Sequence, residues 1–176
     1  MKRTIAIDHG NALMKSQTHV FPSSFMESKY LPNIGGDVLT YQGKTYTLVD
    51  QALPVLNDKT ENDNYFILSL IAIGKKLADD AELIRKLTPN DHIKVELLIG
   101  LPLQHYETYR KKFVCYFTDR NGVIKFELNG RPYAIQITGA HAFPQAYSAA
   151  VTIFDCRITI QVLHQPKKEV ANKKPN

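Results

Sequence analysis

The sequence predicts an α/β fold built on a mixed β-sheet, and three observations support this. The chain has 176 residues, of which 44% are hydrophobic and 22% charged, which suits one domain with a packed core. Its first fifty residues contain patterns typical of β-hairpins, whose strands are antiparallel. Strand patterns then alternate with helical patterns, and such strands usually pair in parallel.

The amino-terminal part is predicted to form strands. Residues 3–8 are mostly apolar and β-branched and stop at an acid followed two residues later by glycine, as expected of a buried strand that enters a turn. Residues 13–21 are its predicted hairpin partner. Residues 37–49 form a second predicted hairpin, with Gln42 and Gly43 at its turn and several threonines and tyrosines that favour extended backbone.

The middle of the chain is predicted to alternate between helices and strands. Residues 61–77 are apolar on nearly every helical face, which predicts a buried helix with Thr60 as its N-cap. A second helix over residues 81–87, a strand over residues 93–100 and a helix over residues 106–117 follow.

The last part of the chain begins with a hairpin. Asn129 and Gly130 predict a tight turn between strands at residues 122–128 and 132–138. We expect a helix at residues 145–154 and one more strand at residues 157–164. The domain is therefore predicted to span residues 1–164, followed by a basic, solvated and disordered tail at residues 165–176.

Charge and cysteine content argue against several classes of protein. The net charge is +5, but the tail carries +3 of it, so the remaining +2 is not a nucleic-acid-binding composition. No apolar run approaches the roughly 20 residues of a membrane span, and Asp8 interrupts any secretory signal, so we expect a cytoplasmic protein with no membrane partner. Cys115 and Cys156 lack metal-site spacing and are expected to be reduced and structural.

The strongest candidate site is the turn after the first strand, which comprises Asp8, His9, Gly10, Asn11 and Ala12 and leads to Lys15. A carboxylate at a strand end can hold Mg²⁺ through water, while turn amides and a lysine face phosphate oxygens. The same Asp-x-Gly pattern also fits a purely structural hairpin. His9 follows Asp8 in a strand and points to the opposite side, so a packing or turn role is expected for it.

The remaining reactive residue types form no recognisable catalytic pattern. His105 and His141 have no nucleophile motif nearby and are expected to be structural or exposed. The aromatic residues between positions 106 and 117 recur at helical spacing, which favours a buried stripe over a platform for stacking bases.

Four motifs in a fixed order together resemble those of the actin-like ATPases of the ParM/StbA plasmid-segregation group. They are Asp-x-Gly followed by Lys15, the Tyr-x-Gly-Lys-x-Tyr hairpin that starts at Tyr41, Gly100-Leu-Pro, and Pro144-Gln145. The resemblance runs from about residue 5 to residue 154 and covers the first half of that family. It implies a ribonuclease H-like fold.

The resemblance also implies a ligand and roles for particular residues. The cofactor would be ATP or GTP with Mg²⁺. The first phosphate loop would comprise Asp8, Gly10, Asn11, Ala12 and Lys15, with Asp8 facing the metal. Gln145 would orient the attacking water, although a glutamine in a first helical turn also commonly just faces solvent.

The implied biological role is ATP-dependent filament formation in DNA segregation. The implied partners are nucleotide, further copies of the chain or a full-length actin-like protein, and DNA through an adaptor. No glycine follows Gly139, so the second phosphate motif and the adenosine loop of the family are missing. We therefore expect a truncated or frame-shifted product with weak nucleotide affinity and negligible turnover.

Two alternatives remain open at the level of sequence. The chain could be a non-catalytic module that caps or co-assembles with full-length actin-like filaments through its sheet edges and hairpins. It could also be a fragment of a sugar or acetate kinase, since those enzymes share the fold.

Overall fold

The computed structural model describes residues 1–28, 36–50, 58–88 and 91–145 of the chain. These residues form nine strands and three helices. The strands are β1 (Lys2–His9), β2 (Leu13–Ser16), β3 (Val20–Pro22), β4 (Phe25–Ser28), β5 (Val38–Tyr41), β6 (Lys44–Leu48), β7 (Ile93–Leu101), β8 (Ile124–Leu128) and β9 (Arg131–Pro144). The helices are α1 (Asn64–Ala78), α2 (Ala81–Lys86) and α3 (Leu103–Thr118).

All nine strands belong to one mixed sheet, in the order β3-β2-β1-β7-β9-β8-β5-β6-β4. The strands β1, β7 and β9 are parallel neighbours, and the remaining pairs are antiparallel. This confirms the mixed sheet predicted from the sequence. It also places β1 inside the sheet, so its carboxyl end is flanked by strands on both sides.

The sheet curls because its two outermost strands are consecutive in the chain. Only Ser23 and Ser24 separate β3 from β4, although these strands stand at opposite ends of the strand order. The Ser23 amide donates to the Ala12 carbonyl over 3.0 Å, and Ser24 exchanges hydrogen bonds with Val49. The serine pair therefore links the β1–β2 turn to the far hairpin.

Helix α1 is buried on most of its circumference, as its apolar sequence predicted. A Cβ built on Gly74 would lie 2.7 Å from a methyl carbon of Leu128, so helix and sheet are in close contact there. The predicted N-cap is wrong: the helix begins after Asp63. Thr60 instead belongs to the preceding loop, where its amide and hydroxyl both donate to the Asp58 carboxylate.

Helix α3 begins directly after Pro102, three residues earlier than predicted. Phe113 and Phe117 are buried, whereas the tyrosines of the predicted aromatic stripe are only partly buried. Cys115 is a free thiol but lies on the exposed face of α3, so the expectation of a structural cysteine is wrong for this residue.

Both predicted tight turns are confirmed by their backbone. Gln42 and Gly43, and likewise Asn129 and Gly130, have positive φ angles, as a two-residue hairpin turn of this hand requires. Residues 37–49 accordingly form the β5–β6 hairpin.

Other predicted boundaries differ from the observed ones. Residues 13–21 form two short strands instead of one, because the chain turns where the Ser16 amide donates to the His19 carbonyl. Strand β9 runs on to Pro144 beside β7, and β4 was not predicted.

Several predictions fall outside the described residues. These are the helix beyond Gln145, the strand at residues 157–164, the tail at residues 165–176 and the environment of Cys156. Within the described ranges, no helix is long and apolar enough to cross a membrane.

Candidate functional site

The predicted site residues meet at the carboxyl ends of the three parallel strands. Asp8 of β1 lies opposite Gly100 of β7, which in turn lies opposite Phe143 of β9. Gln145 follows β9 directly, so it reaches the same edge as Asp8. Ligands of open α/β sheets commonly bind outside this edge.

The turn after β1 needs glycine at position 10. A Cβ there would lie 2.3 Å from the Leu13 carbonyl oxygen, a backbone atom that cannot move aside. The Ser23 hydroxyl donates to the Gly10 carbonyl over 2.9 Å and so joins the turn to the segment between β3 and β4. Asn11 and Ala12 at its tip are exposed, and the exposed Lys15 lies opposite Asp8 in the β1–β2 pairing.

Asp8 is half-buried, and its Oδ1 atom is buried with no hydrogen-bond partner among the described residues. Burial raises the pKa of Asp8, while the charges of Lys15 and Lys59 and the Gln145 side chain oppose that rise. A carboxylate oxygen that is removed from water and left without a donor suits a cation or its water shell. Asp8 therefore fits the metal-facing role expected of it.

No protein-only metal centre accompanies Asp8. Within the parts of the chain that the structure describes, no three His, Cys, Asp or Glu side chains are grouped so that they could hold an ion. A single carboxylate suits Mg²⁺ that is held mainly by phosphate and water oxygens.

Gln145 lies beside Asp8, as the predicted arrangement requires. Its Nε2 amide donates to the His9 carbonyl over 3.3 Å, and a hydrogen bond from its side chain to Asp8 lowers the pKa of that carboxyl. The amide is therefore at the same edge of the sheet as the turn. Its water-orienting role stays a prediction.

Lys59 also lies at this site, although the sequence did not predict it. This lysine is only 4% exposed, and its ammonium donates to the His9 carbonyl and, over 3.3 Å, to the Tyr65 hydroxyl. Burial lowers the pKa of Lys59 to about 8, and the nearby Asp8 carboxylate opposes this shift. An Asp-Lys-Thr segment before a helix resembles an ordinary solvated loop, so no sequence signal marked it.

His9 has the packing role that the sequence predicted. It is fully buried among the rings of Tyr65, Phe113 and Phe117. The Ser69 hydroxyl donates to the Tyr65 carbonyl and therefore accepts from His9 Nε2, 2.8 Å away. Burial, followed by the charge of Lys59, lowers the pKa of His9 well below its ordinary value of 6.5, so the ring is neutral.

The other singled-out histidines have no contact with Asp8 among the described residues. His141 is exposed and lies 3.2 Å from Glu96, and the His105 ring lies 5.8 Å from the Tyr109 ring in a tilted arrangement. Two surface clefts of about 420 and 690 Å³ are lined by other residues, around Arg3 and Asp80 in one case and around Phe126 and Tyr133 in the other. Neither cleft includes the turn at Asp8.

One family model matches most of the chain. Residues 6–147 match the family described as actin-like proteins, N-terminal domain. No curated protein matches the chain.

Solved structures share the fold at low sequence identity. The apo pSK41 ParM crystal structure is 15% identical with a TM-score of 0.60, over 82% of this chain and 50% of that one. The archaeal actin homologue Ta0583 is 18% identical with a TM-score of 0.57, over 84% and 47%. The AlfA filament bound to AMPPNP is 18% identical with a TM-score of 0.55, over 82% and 55%. The chain thus spans about half the length of these structures.

Proposed function

The chain belongs to the actin-like proteins. On this premise we propose that its β1–β2 turn binds the phosphates of a magnesium-bound nucleotide. The matched region is the N-terminal domain of that family, in agreement with the fold class predicted from the sequence. Since the matched region is the N-terminal domain, the described residues would supply one side of a nucleotide site.

One observation carries this proposal: Asp8 presents a buried carboxylate oxygen with no hydrogen-bond partner among the described residues, at the end of an interior parallel strand. A purely structural hairpin gains nothing from such a group, since an unsatisfied buried acceptor costs about 1–3 kcal/mol. A site that takes up a hydrated cation gives this oxygen its partner.

The surrounding residues have distinct roles in this proposal. Gly10 permits the tight turn, the exposed residues Asn11 and Ala12 would offer their backbone amides to phosphate oxygens, and Lys15 adds a positive charge. Bound Mg²⁺ would neutralise phosphate charge there, with Asp8 holding it through water. Gln145 would align a water molecule by hydrogen bonding, since an amide positions water without acting as a strong base.

We extend the proposal to assembly. The AlfA structure is that of a filament bound to a nucleotide analogue, and the pSK41 relative is a ParM protein. By analogy, this chain would associate with copies of itself or with a full-length actin-like protein in the cytoplasm. It would act in DNA segregation through an adaptor that binds the DNA.

Isothermal titration of the full chain with ATP, in Mg²⁺ and in EDTA, tests the phosphate site. In Mg²⁺, Asp8→Asn should weaken ATP binding about 10- to 100-fold, the range expected when a hydrogen bond to a charged group is lost. In EDTA the same change should not weaken binding, because Asp8 then only repels the phosphates. Lys15→Met should weaken binding in both conditions.

Lys94→Met is the matched control, since Lys94 is exposed near the opposite end of β7. It should bind ATP like the wild-type chain. The proposal fails if Asp8→Asn and the wild-type chain depend on Mg²⁺ to the same degree.

A further inference from the structure

The loop at residues 58–60, here called the Lys59 loop, buries a positive charge directly behind the β1–β2 turn. The Lys59 ammonium contacts the His9 carbonyl at one end of the turn, and it lies 4.3 Å from the centre of the Tyr65 ring. The Tyr65 hydroxyl in turn lies 3.5 Å from the Asn11 side-chain oxygen. Lys59 and Tyr65 thus support both sides of the turn.

The charge of Lys59 is incompletely compensated. Among the described residues, no carboxylate forms an ion pair with its ammonium, whose partners are a carbonyl, a phenol and an aromatic face. Burying an ammonium without an anion costs several kcal/mol. The Asp8 carboxylate is the nearby anion that stabilises this charge, and a bound polyphosphate would add a second one.

The Lys59 loop is also held in place. The Asp58 carboxylate accepts from the Thr60 amide at 2.9 Å, from the Thr60 hydroxyl at 2.6 Å and from Lys112 of α3 at 2.5 Å. Asp58 itself is only 8% exposed. These contacts leave Lys59 little freedom to turn toward solvent, so its charge is fixed with respect to the turn.

We propose that Lys59 is a positioning residue of the phosphate site, one that shapes the β1–β2 turn through the His9 carbonyl and supplies a fixed buried charge for a polyphosphate. This rests on the proposed function. Because the ammonium is buried behind the turn, Lys59 acts through the turn and through its electric field and does not touch the phosphates.

The His9 carbonyl makes this proposal testable without unfolding the protein. Gln145 also donates to that oxygen, so Lys59→Met leaves the carbonyl with one donor. Because Lys59 forms no ion pair among the described residues, Lys59→Met removes the desolvation cost of a buried ammonium and should not lower stability. If Lys59 is purely structural, Lys59→Met should lower the stability and leave nucleotide affinity unchanged. If Lys59 serves the phosphate site, the same change should lower the affinity and leave the stability unchanged.

The experiment measures ATP and ADP binding in Mg²⁺, together with thermal unfolding, for the full chain and for Lys59→Met. We expect the variant to unfold at the wild-type temperature or above it, and to bind Mg-ATP about tenfold more weakly. The fold-decrease in its affinity for Mg-ADP should be at most about one third of the decrease for Mg-ATP, because ADP carries fewer phosphate charges. Lys94→Met again serves as the control.

A variant that unfolds earlier but binds both nucleotides like the wild-type chain would overturn the proposal, as would equal losses for ATP and ADP. If Lys59→Met does not fold, Lys59→Arg and Lys112→Met take its place. The first keeps the charge and should retain most of the affinity, whereas the second releases the Lys59 loop and should lose more affinity for ATP than for ADP. Wild-type chain that binds neither nucleotide overturns the proposed function, and this inference with it.

Discussion

At the scale of single residues, Asp8 and His9 are neighbours in one strand whose side chains point to opposite faces of the sheet and have different roles. Asp8 points to the turn edge with an unpartnered oxygen, while His9 points into the core against α1 and α3. Alternation along a strand requires this division. The same alternation made the role of His9 predictable from sequence.

The burial of His9 predicts a pH dependence of stability. Its folded-state pKa lies well below 6.5, so below about pH 6.5 the unfolded chain takes up a proton that the folded chain does not. The free energy of unfolding should therefore fall as pH decreases, by about 1.4 kcal/mol per pH unit from this group alone. Above pH 6.5, His9 contributes no pH dependence.

Urea unfolding of the wild-type chain and of His9→Gln at pH 7.5, 6.5 and 5.5 measures this contribution. The variant should be less stable at pH 7.5, but its stability should change less between pH 6.5 and 5.5. Equal pH dependence in the two proteins would contradict this account, because His9 would then take up a proton as readily in the folded chain as in the unfolded one.

The sequence allowed prediction of part of the site only. Asp8, Gly10 and Lys15 form a local pattern with a physical meaning, and the structure places Gly10 in the β1–β2 turn with Asp8 and Lys15 paired beside it. Lys59 could not be predicted, because its burial depends on the contact of a loop fifty residues away with the end of β1. Sequence patterns report local preference and give little information on such contacts.

At the scale of elements, strands and helices with strong patterns were predicted well and their ends less well. The two hairpin turns depend on residues that accept positive φ, so they were predictable. The start of α1 was not, since Thr60 forms hydrogen bonds with Asp58 and does not cap the helix. Strand β4 was not predicted from the sequence, because it pairs with β6, which does not follow it directly in the chain.

The contact between α1 and β8 predicts coupling between two residues. Gly74→Ala should gain about 1 kcal/mol from helix propensity but lose about 1–3 kcal/mol through crowding of Leu128, for a net loss of stability. In a Leu128→Ala background the 2.7 Å contact disappears, while Phe126 Cε2 at 3.1 Å and the Cβ of residue 128 at 3.3 Å stay close. The same substitution should therefore cost clearly less stability there than in the wild-type chain.

Urea unfolding of the four proteins of this double-mutant cycle gives the coupling energy. Gly139→Ala is the control, because a Cβ there meets Glu96 only at ordinary contact distances of 3.7–3.9 Å. Purely additive effects at residues 74 and 128 would contradict the close contact between helix and strand.

At the scale of the whole molecule, the curled sheet gathers distant segments around the end of β1. The Ser23–Ser24 link brings the far hairpin toward the turn, the loop before α1 supplies Lys59, and β9 delivers Gln145. The fold class followed from element order and motifs. The curl of the sheet was not predictable, because it depends on pairing between strands that are far apart in sequence. Local sequence patterns do not specify such pairing.

At this scale, the described residues would also form one side of a nucleotide site. Such an arrangement holds the phosphates from one side and leaves them exposed to water, so electrostatic contacts are weaker than in a closed cleft. Mg-ATP binding should therefore be weak, with a dissociation constant of about 0.1 mM, so that a tenfold loss is still measurable, and phosphate release should be negligible.

Titration of the ¹⁵N-labelled chain with Mg-ATP, followed by ¹H–¹⁵N correlation spectra, tests the central claim most directly. The largest shift changes should fall on the backbone amides of Gly10, Asn11, Ala12 and Lys15, and Asp8→Asn should abolish them. Shift changes confined to the cleft around Phe126 and Tyr133, or the absence of any change at millimolar Mg-ATP, would contradict the claim that the β1–β2 turn receives nucleotide phosphates.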